Sequence, residues 1–539
     1  MSSLAENLRM KNLRSIKERI HISGRLVLET PAHFGGGESL DDFHGDMTLI
    51  RDEVDGRALI PGTTLAGALR NYLRERLHGY SGDEEIGKDT QKNSPIAWLF
   101  GPARGSDTYH KQSLLITEDA LSVEKTEAVV LRDGVRIDPQ TGTAYVESQK
   151  TADGRFLTAG AKFDAELLEA GTCFDLHFDL LITESRSADQ LLPFVAAMLE
   201  GLGNGDIRLG LRKRRGFGRC SVGQWTVSRY DLTDPAELCL WLGTPTLSHR
   251  PDAKTGTIVN ALGLESGDLK DERKHCTIDA CFSLEKSSIL IRSGFGQADI
   301  GPDAEHLHAR QADGEKRPVI SGTSWAGVMR HRALRIANTI AMHQGLPEAD
   351  PDDNKALAPG LVNELFGYMP DHADGERRST IQNPLIGKAS RLIADETVIK
   401  NGQTLYQTRV RIDRFTGGAY DTGLYEQAPV YGKKDTTVDF GLKIREPKRY
   451  EIGLILLVLK DLWTGDLTVG GESSVGRGRL TGVEATVQLP DALLFKFDNK
   501  AEGLGLDTEQ QKELQKYVCA LWEHLSVDNS VDNKEVVAV

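Results

Sequence analysis

Two stretches of this 539-residue chain combine residue types that can handle a polyanion. One is a G-x5-G-x-G loop from Gly210 to Gly218, whose interior reads Leu211, Arg212, Lys213, Arg214, Arg215. Glycines let backbone N–H groups approach a phosphate chain, and four consecutive cations supply the countercharge. A solvated basic turn is the plain alternative. The other stretch begins at PAHFGGGESLDD and carries His33, Glu38, Asp41, Asp42, His44 and Asp46. Beside a phosphodiester, such groups can bind a divalent ion or take a proton from a 2′-hydroxyl. Taken singly, each is an ordinary surface residue. His275 and Cys276 with Cys281 lack a fourth ligand, so a zinc site is a weak reading.

Further candidates recur in pairs. Thr63, Thr64 and Arg70 put hydroxyls at a helix start and a cation two turns on, and Thr323, Ser324 and Arg330 repeat the arrangement. A helix N-terminus with free N–H groups suits a backbone phosphate, although plain N-capping by the threonines explains the spacing equally well. VRIDPQTGTA at 135–144 and VRIDRFTGGA at 410–419 set Asp138 and Asp413 before a turn, with arginines 132, 136, 409, 411 and 414 close by. A hairpin with basic flanks can wedge into a nucleic-acid duplex; a turn held by Asp and Gly accounts for much of the pattern without that role.

These pairs belong to an internal duplication. IPGTTLAGALR (60–70) returns as ISGTSWAGVMR (320–330), LFG at 99–101 returns at 365–367, and DIRLGLRKRRGFGR (206–219) returns as DLTVGGESSVGRGR (466–479). With the VRID segments, four landmarks recur in order at offsets of about 260 to 275. The chain therefore reads as two versions of one domain, 20–230 and 276–488. A linker spans 231–275, and a C-terminal helix with an acidic tail spans 489–539. In each copy an alternating strand leads into a glycine-rich loop, a helix, a strand, a second alternating strand, a helix and a closing strand. That β-α-β, β-α-β order predicts an α+β tandem of ferredoxin-like, RNA-recognition-type domains. Residues 120–170 are an inserted excursion.

Composition narrows the classes. Hydrophobic residues make up 39% and charged residues 27%, as in a soluble globular protein. The longest apolar run, Ile452 to Leu459, is far short of the ~20 residues a membrane span needs. The basic first twenty residues lack the apolar core of a secretory signal. Six cysteines without pairing rhythm point to a reducing cytoplasm. The net charge of -14 argues against a free-standing, nonspecific nucleic-acid binder but permits basic patches on one face.

The strand, glycine-rich loop, IPG-[TS]-[ST]-x-x-G-x-x-R, LFG, R-I-D-x-x-T-G-x-A and terminal G-x5-G-x-G together closely resemble the RAMP superfamily. More narrowly they resemble the Cas-seven-type backbone subunits of type III CRISPR effector complexes, with two units fused as in type III-D-like systems. The resemblance covers about four fifths of the chain. It implies RNA-recognition folds laid along a CRISPR guide RNA, other effector subunits as partners, a complementary target RNA as substrate, and a role in antiviral defence. It also implies a thumb hairpin in each copy, over 120–170 and 385–435, and one loop aspartate per active unit supporting cleavage with a divalent ion, Mg2+ or Mn2+. Asp46 in GDMTLIRD matches that aspartate and is the expected metal ligand. In the second copy, GPDAEHLHARQADGEKRPVISG leaves Asp303, Glu305 and His306 in competition. The expected RNA-binding residues are Thr63, Thr64, Arg70, Arg136, Arg212, Lys213, Arg214, Arg215, Thr323, Ser324, Arg330 and Arg411.

Four readings compete. The chain is a guide-bound target ribonuclease, or a non-catalytic guide-RNA scaffold in the same complex. A RAMP nuclease that matures precursor RNA is disfavoured by the thumb-type motif. A generic tandem RNA-binding regulator is disfavoured by the low aromatic content of 6%. The absence of a GGDD-like element excludes a palm-type cyclase.

Overall fold

The computed structural model describes residues 15–35, 47–80, 94–101, 112–125, 129–135, 137–138, 144, 146–150, 156–160, 162–244, 250–265, 269–292, 301–349, 356–368 and 387–526. The architecture is α+β. Strand β1 (Ile16–Leu28) alternates, burying Ile20, Ile22, Leu26 and Leu28, which is what a strand facing one apolar layer requires. Helix α1 (Gly62–His78) follows, then β2 (Leu115–Thr117), β3 (Cys173–Thr183), helix α2 (Ala188–Gly203), β4 (Cys220–Asp231) and β5 (Lys254–Gly256). The sheet order is β5-β4-β1-β3-β2, antiparallel at every pairing. Leu65, Leu69 and Leu73 of α1 and Leu191, Val195 and Leu202 of α2 join the strand residues in one core.

The second copy repeats this plan. Strand β6 (His275–Ser283) is followed by helix α3 (Gly322–His343), β7 (Leu392–Ala394), β8 (Thr397–Lys400), β9 (Thr437–Arg445), helix α4 (Arg449–Trp463) and β10 (Thr481–Gln488). Here β6 lies between β9 and β10, while β7 and β8 pair with β9. Buried Trp325 anchors this core: its indole N–H donates to Thr397 Oγ1 at 2.9 Å and its ring lies 4.7 Å from that of Phe440. Beyond the expected terminal helix α5 (Thr508–His524), strand β11 (Leu494–Asp498) extends the sheet beside β10. Tyr517 and Leu521 of α5 complete the second core. The segment read as a linker is partly core as well, because Ile258, Ala261 and Leu262 are buried against the first sheet.

The excursion in each copy is a ladder. In the first, Val129–Val135 pairs with Lys162–Leu168, and Val146–Lys150 with Phe156–Gly160. In the second, Gln407–Ile412 pairs with Ala419–Ala428. Among the described residues no helix is long and apolar enough to cross a membrane.

The copies meet at a tight junction. The turn at Lys213–Arg215 seats on the N-terminus of α3, where Gly322 is pressed between the carbonyls of Arg215 and Ala394. Any Cβ at Gly322 would overlap both oxygens. Around that seat Arg132 pairs with Glu396 at 2.5 Å, and Arg208 forks onto the Asp395 carboxylate at 2.5 and 3.0 Å. Arg215 donates to Phe366 O at 3.0 Å, and Arg214 to Ser390 O. Gly327, one turn along the same helix, has open space where a Cβ would stand. Gly322→Ala should therefore lower the thermal midpoint, whereas Gly327→Ala should raise stability by up to about 1 kcal/mol through helix propensity. Differential scanning calorimetry of the two variants against the parent checks both signs.

Candidate nucleic-acid interface

Three segments of the first copy converge on a cleft of about 460 Å³: His33–Gly35 after β1, Pro61–Ala68 at the start of α1, and Arg208–Lys213. Glycine builds its wall. Gly210 and Gly218 have φ of +83° and +71°, and a Cβ on either would overlap a neighbouring carbonyl, His33 O or Leu209 O. The loop is tied down by Leu211 N–H to His33 O and Gly218 N–H to Pro31 O, both at 2.9 Å. In the second copy Gly471 N–H reaches Leu290 O at 2.8 Å and Gly478 N–H reaches Ser288 O at 2.6 Å. The glycines thus allow close approach of protein backbone to protein backbone, a use the polyanion reading of their spacing did not include.

The four cations divide their work. Arg212 sits at φ +54°, and Lys213–Arg215 form a single 3-10 turn, which splays successive side chains about 120° apart. Lys213 lines the main cleft and also a second one of about 140 Å³ between the copies, where Arg214, Arg273, Lys443 and Arg445 gather with Glu75 and Asp206. Burial lowers the pKa of Arg212; it also lowers that of Lys213, aided by Arg214. Burial, then Arg330 and Arg214, bring Arg215 down to about 10. Crowded cations of this kind gain from a bound anion. Arg214 and Arg215, expected to hold RNA, spend hydrogen bonds on carbonyls of the second copy. Arg273, Lys443 and Arg445 were missed, although alternation in GLKIRE put Lys443 and Arg445 on the face opposite buried Leu442 and Ile444.

Helix α1 begins at Gly62 with Pro61 as its N-cap and no side-chain cap. Thr63 and Thr64 are therefore not capping residues; they line the main cleft inside the first turn. In the second copy Ser321 takes the cap, accepting Ser324 N–H at 3.2 Å and hydrogen-bonding Thr323 Oγ1 at 2.9 Å. Arg330 donates to Gly367 O at 2.5 Å and to Asn363 Oδ1, bracing the LFG turn. Arg70 is half-buried on α1. Arg411 lies over the Tyr420 ring at 4.8 Å on the 407–428 hairpin. That hairpin exposes Ile412, Phe415 and Leu424, with Phe415 95% exposed. Asp413 Oδ1 fixes its turn by accepting Phe415 N–H at 2.7 Å. Arg136, Glu38, Asp41, Asp42, His44 and Asp46 lie outside the described residues.

The described part of the glycine-rich segment resolves which residue of the second copy matches which of the first. Pro31, His33 and Phe34 make the backbone bonds that Ser288, Leu290 and Ile291 make, Phe34 O accepting Ile50 N–H as Ile291 O accepts Leu307 N–H. On the same offset, Met47 forms a parallel bridge to Ala165 where Ala304 bridges Gln427. The residue before Ala304 is Asp303, and the residue before Met47 in sequence is Asp46. Asp303 Oδ2 accepts Glu426 N–H at 2.7 Å, at the base of the hairpin. Glu305 is half-buried and continues the parallel bridge, facing Ala428. His306 is buried: its Nδ1 accepts Ile291 N–H and its Nε2–H donates to Val319 O, both at 3.1 Å. It is a neutral structural imidazole.

His33 is also buried, and its Nδ1–H donates to Glu166 O at 2.7 Å, which leaves Nε2 as the basic nitrogen beside the cleft. Leu290 takes its place in the second copy. Among the described residues no group of three or more His, Cys, Asp or Glu side chains is placed to hold a metal ion.

The matched sheets and duplicated loops define a protein of two copies of one α+β domain, with basic clefts in and beside the first. The RAMP superfamily model matches residues 25–221 and again 284–481, so the chain belongs to the RAMP superfamily, with two fused domains. It is also 26% identical over 223 residues, 39% of this chain and 80% of the relative, to the CRISPR system Cms endoribonuclease Csm3 of Methanocaldococcus jannaschii.

Burial drives the His306 pKa down to about 3, with His308 adding to the effect. The unfolded chain therefore binds a proton near pH 6.5 that the folded chain refuses until about pH 3. This site contributes stability that is full above pH 6.5 and falls by about 1.4 kcal/mol per pH unit below it. His306→Gln should flatten that acid limb in urea titrations at stepped pH, at the cost of lower stability at neutral pH.

Proposed function

We propose that this protein is a backbone subunit of a type III CRISPR ribonucleoprotein, which binds guide RNA with both copies and cleaves complementary target RNA. The observation that carries the reading is the pair of RAMP matches, joined by likeness to an endoribonuclease of a CRISPR system. The strand order β4-β1-β3-β2, repeated in the second copy, supports ferredoxin-like domains. The hairpin at 407–428, with exposed apolar residues and Arg411 on Tyr420, suits a thumb that splays a duplex by wedging between bases. Thr63, Thr64, Arg70, Arg136, Arg212 and Lys213 are assigned to the RNA backbone in the first copy. Thr323, Ser324, Arg330 and Arg411 are assigned to it in the second. Arg214 and Arg215 shape the groove from behind.

In this mechanism the 2′-hydroxyl of a splayed target nucleotide attacks its own phosphorus in line. The O–P bond forms as the bond to the departing 5′-oxygen breaks, and that oxygen takes a proton from water, leaving a cyclic phosphate and a 5′-hydroxyl end. Asp46 takes the 2′-hydroxyl proton in the first copy and Asp303 takes it in the second. A divalent ion, Mg2+ or Mn2+, held by Asp46 and by the RNA itself, would neutralise phosphate charge when bound. Asp303 is favoured over Glu305 because it precedes bridge residue Ala304 in sequence as Asp46 precedes bridge residue Met47. The protein works in the cytoplasm with guide RNA, target RNA and other effector subunits. A non-catalytic scaffold is the second reading, favoured by the bond that already occupies Asp303.

Target cleavage by the reconstituted, guide-loaded complex, mapped on a sequencing gel, tests the assignment. Asp46→Ala should abolish one cut and Asp303→Ala another, each by about 10²–10⁴-fold, with target binding unchanged. Glu305→Ala should leave both cuts. EDTA should remove all cutting, and an unchanged ladder in both aspartate variants leaves the scaffold.

A further inference from the structure

The junction joins two different surfaces. The first copy gives four guanidinium groups, Arg132 from its ladder and Arg208, Arg214 and Arg215 from its loop segment, and the second receives them on acids and carbonyls. An interface between unlike patches leaves one of each kind open at the ends, and repetition would extend it without closure. The two open patches of this chain can be compared with the pair already joined.

The open receiving patch on the first copy keeps all four acceptors. LITED at 115–119 matches LIADE at 392–396, which sets Glu118 and Asp119 where Asp395 and Glu396 stand. Both are exposed, and Asp119 Oδ1 also accepts Gly62 N–H at 2.6 Å. Phe100 of the first LFG corresponds to Phe366. Ser113, whose hydroxyl bonds Leu99 O and Leu115 O, corresponds to Ser390, which bonds Leu365 O and Leu392 O.

The open donating patch on the second copy has lost every guanidinium group. Arg132, Arg208, Arg214 and Arg215 are replaced by Gln407, Thr468, Ser474 and Val475. Glu472 stands in the left-handed position of Arg212, with φ +60°. It turns inward to Arg477 at 3.0 Å and to Arg292 and Arg409 at 3.7 Å. Val475 is 60% exposed, and Gly476 has open space where Gly216 abuts Glu396.

We infer that the chain cannot stack on itself: the Glu118–Asp119 face of its first copy is a docking surface for an arginine-bearing loop of a different protein subunit. The acceptors there would repel RNA phosphates, which favours a protein occupant. The inference rests on the junction alone and stands whether or not either aspartate cuts RNA.

The test compares RNA-free full-length protein with a variant carrying Thr468→Arg, Ser474→Arg and Val475→Arg, by sedimentation velocity over a range of concentrations. The parent should sediment as a single chain. The triple variant should form an open-ended, concentration-dependent series, and adding Glu118→Arg should weaken that association at least tenfold. Val475→Arg alone, at an exposed position, is read the same way if the triple variant does not fold. A triple or single variant that folds but associates no more than the parent overturns the inference. So does a parent whose own self-association is lost with Glu118→Arg.

Discussion

The rest of the molecule depends on how the Lys213–Arg215 turn sits against Gly322. That turn is held from behind, because Leu211 and Gly218 are hydrogen-bonded to the strand end at His33 and Pro31. It is held in front by the second copy, through Arg214 and Arg215 on two carbonyls. One short 3-10 turn therefore serves both as a wall of the main cleft and as the seat between the copies. Arg132 and Glu396, 8% and 5% exposed, are largely removed from water. A pair so buried adds little net stability beyond what apolar packing would give, but losing one partner costs about 3–5 kcal/mol. Its consequence is registry: the copies meet in one arrangement or leave charge stranded.

The same constraint explains why the two loops diverged while their glycines did not. Gly210 and Gly218, like Gly470 and Gly478, permit backbone to lie on backbone, so a side chain at these positions is excluded whatever the loop does outwardly. The positions between them are free to change. In the first copy two of them, Arg214 and Arg215, reach carbonyls across the junction. In the second, Glu472 draws Arg292, Arg409 and Arg477 inward and braces the base of the protruding hairpin. The arginine loop has become a clamp for the element that carries Phe415 and Arg411.

Much of the fold was legible because periodicity and duplication report backbone geometry directly. The alternation of HISGRLVLET gave β1 except for its first five residues, and apolar spacing gave α1 and α5 to within two residues of their observed ends and α2 to within three. Proximity between the copies was not legible, since neither the Arg132–Glu396 pair nor the Arg208–Asp395 pair has any local signature. The capping role given to Thr63 and Thr64 failed for a local reason: the turn before the helix ends in proline, and the helix begins one residue earlier than the hydroxyls suggested.

The competition among Asp303, Glu305 and His306 shows where counting along a chain loses to pairing across it. Counting back from the ISG turn runs through the hairpin at His308–Ile320, where the second copy has extra residues, so the count drifts. Hydrogen bonds do not drift. The backbone bonds at Ser288, Leu290 and Ile291 have counterparts at Pro31, His33 and Phe34 at a constant offset, and the parallel bridge at Ala304 keeps the same offset from that at Met47. His306 is then explained by its two backbone partners, and Asp303 precedes Ala304 in sequence as Asp46 precedes Met47. What the second copy does not inherit is His33, whose place is taken by Leu290. The two copies thus differ at the only imidazole described beside the main cleft, so chemistry proposed for both must rest on the carboxylates that precede Met47 and Ala304 in sequence.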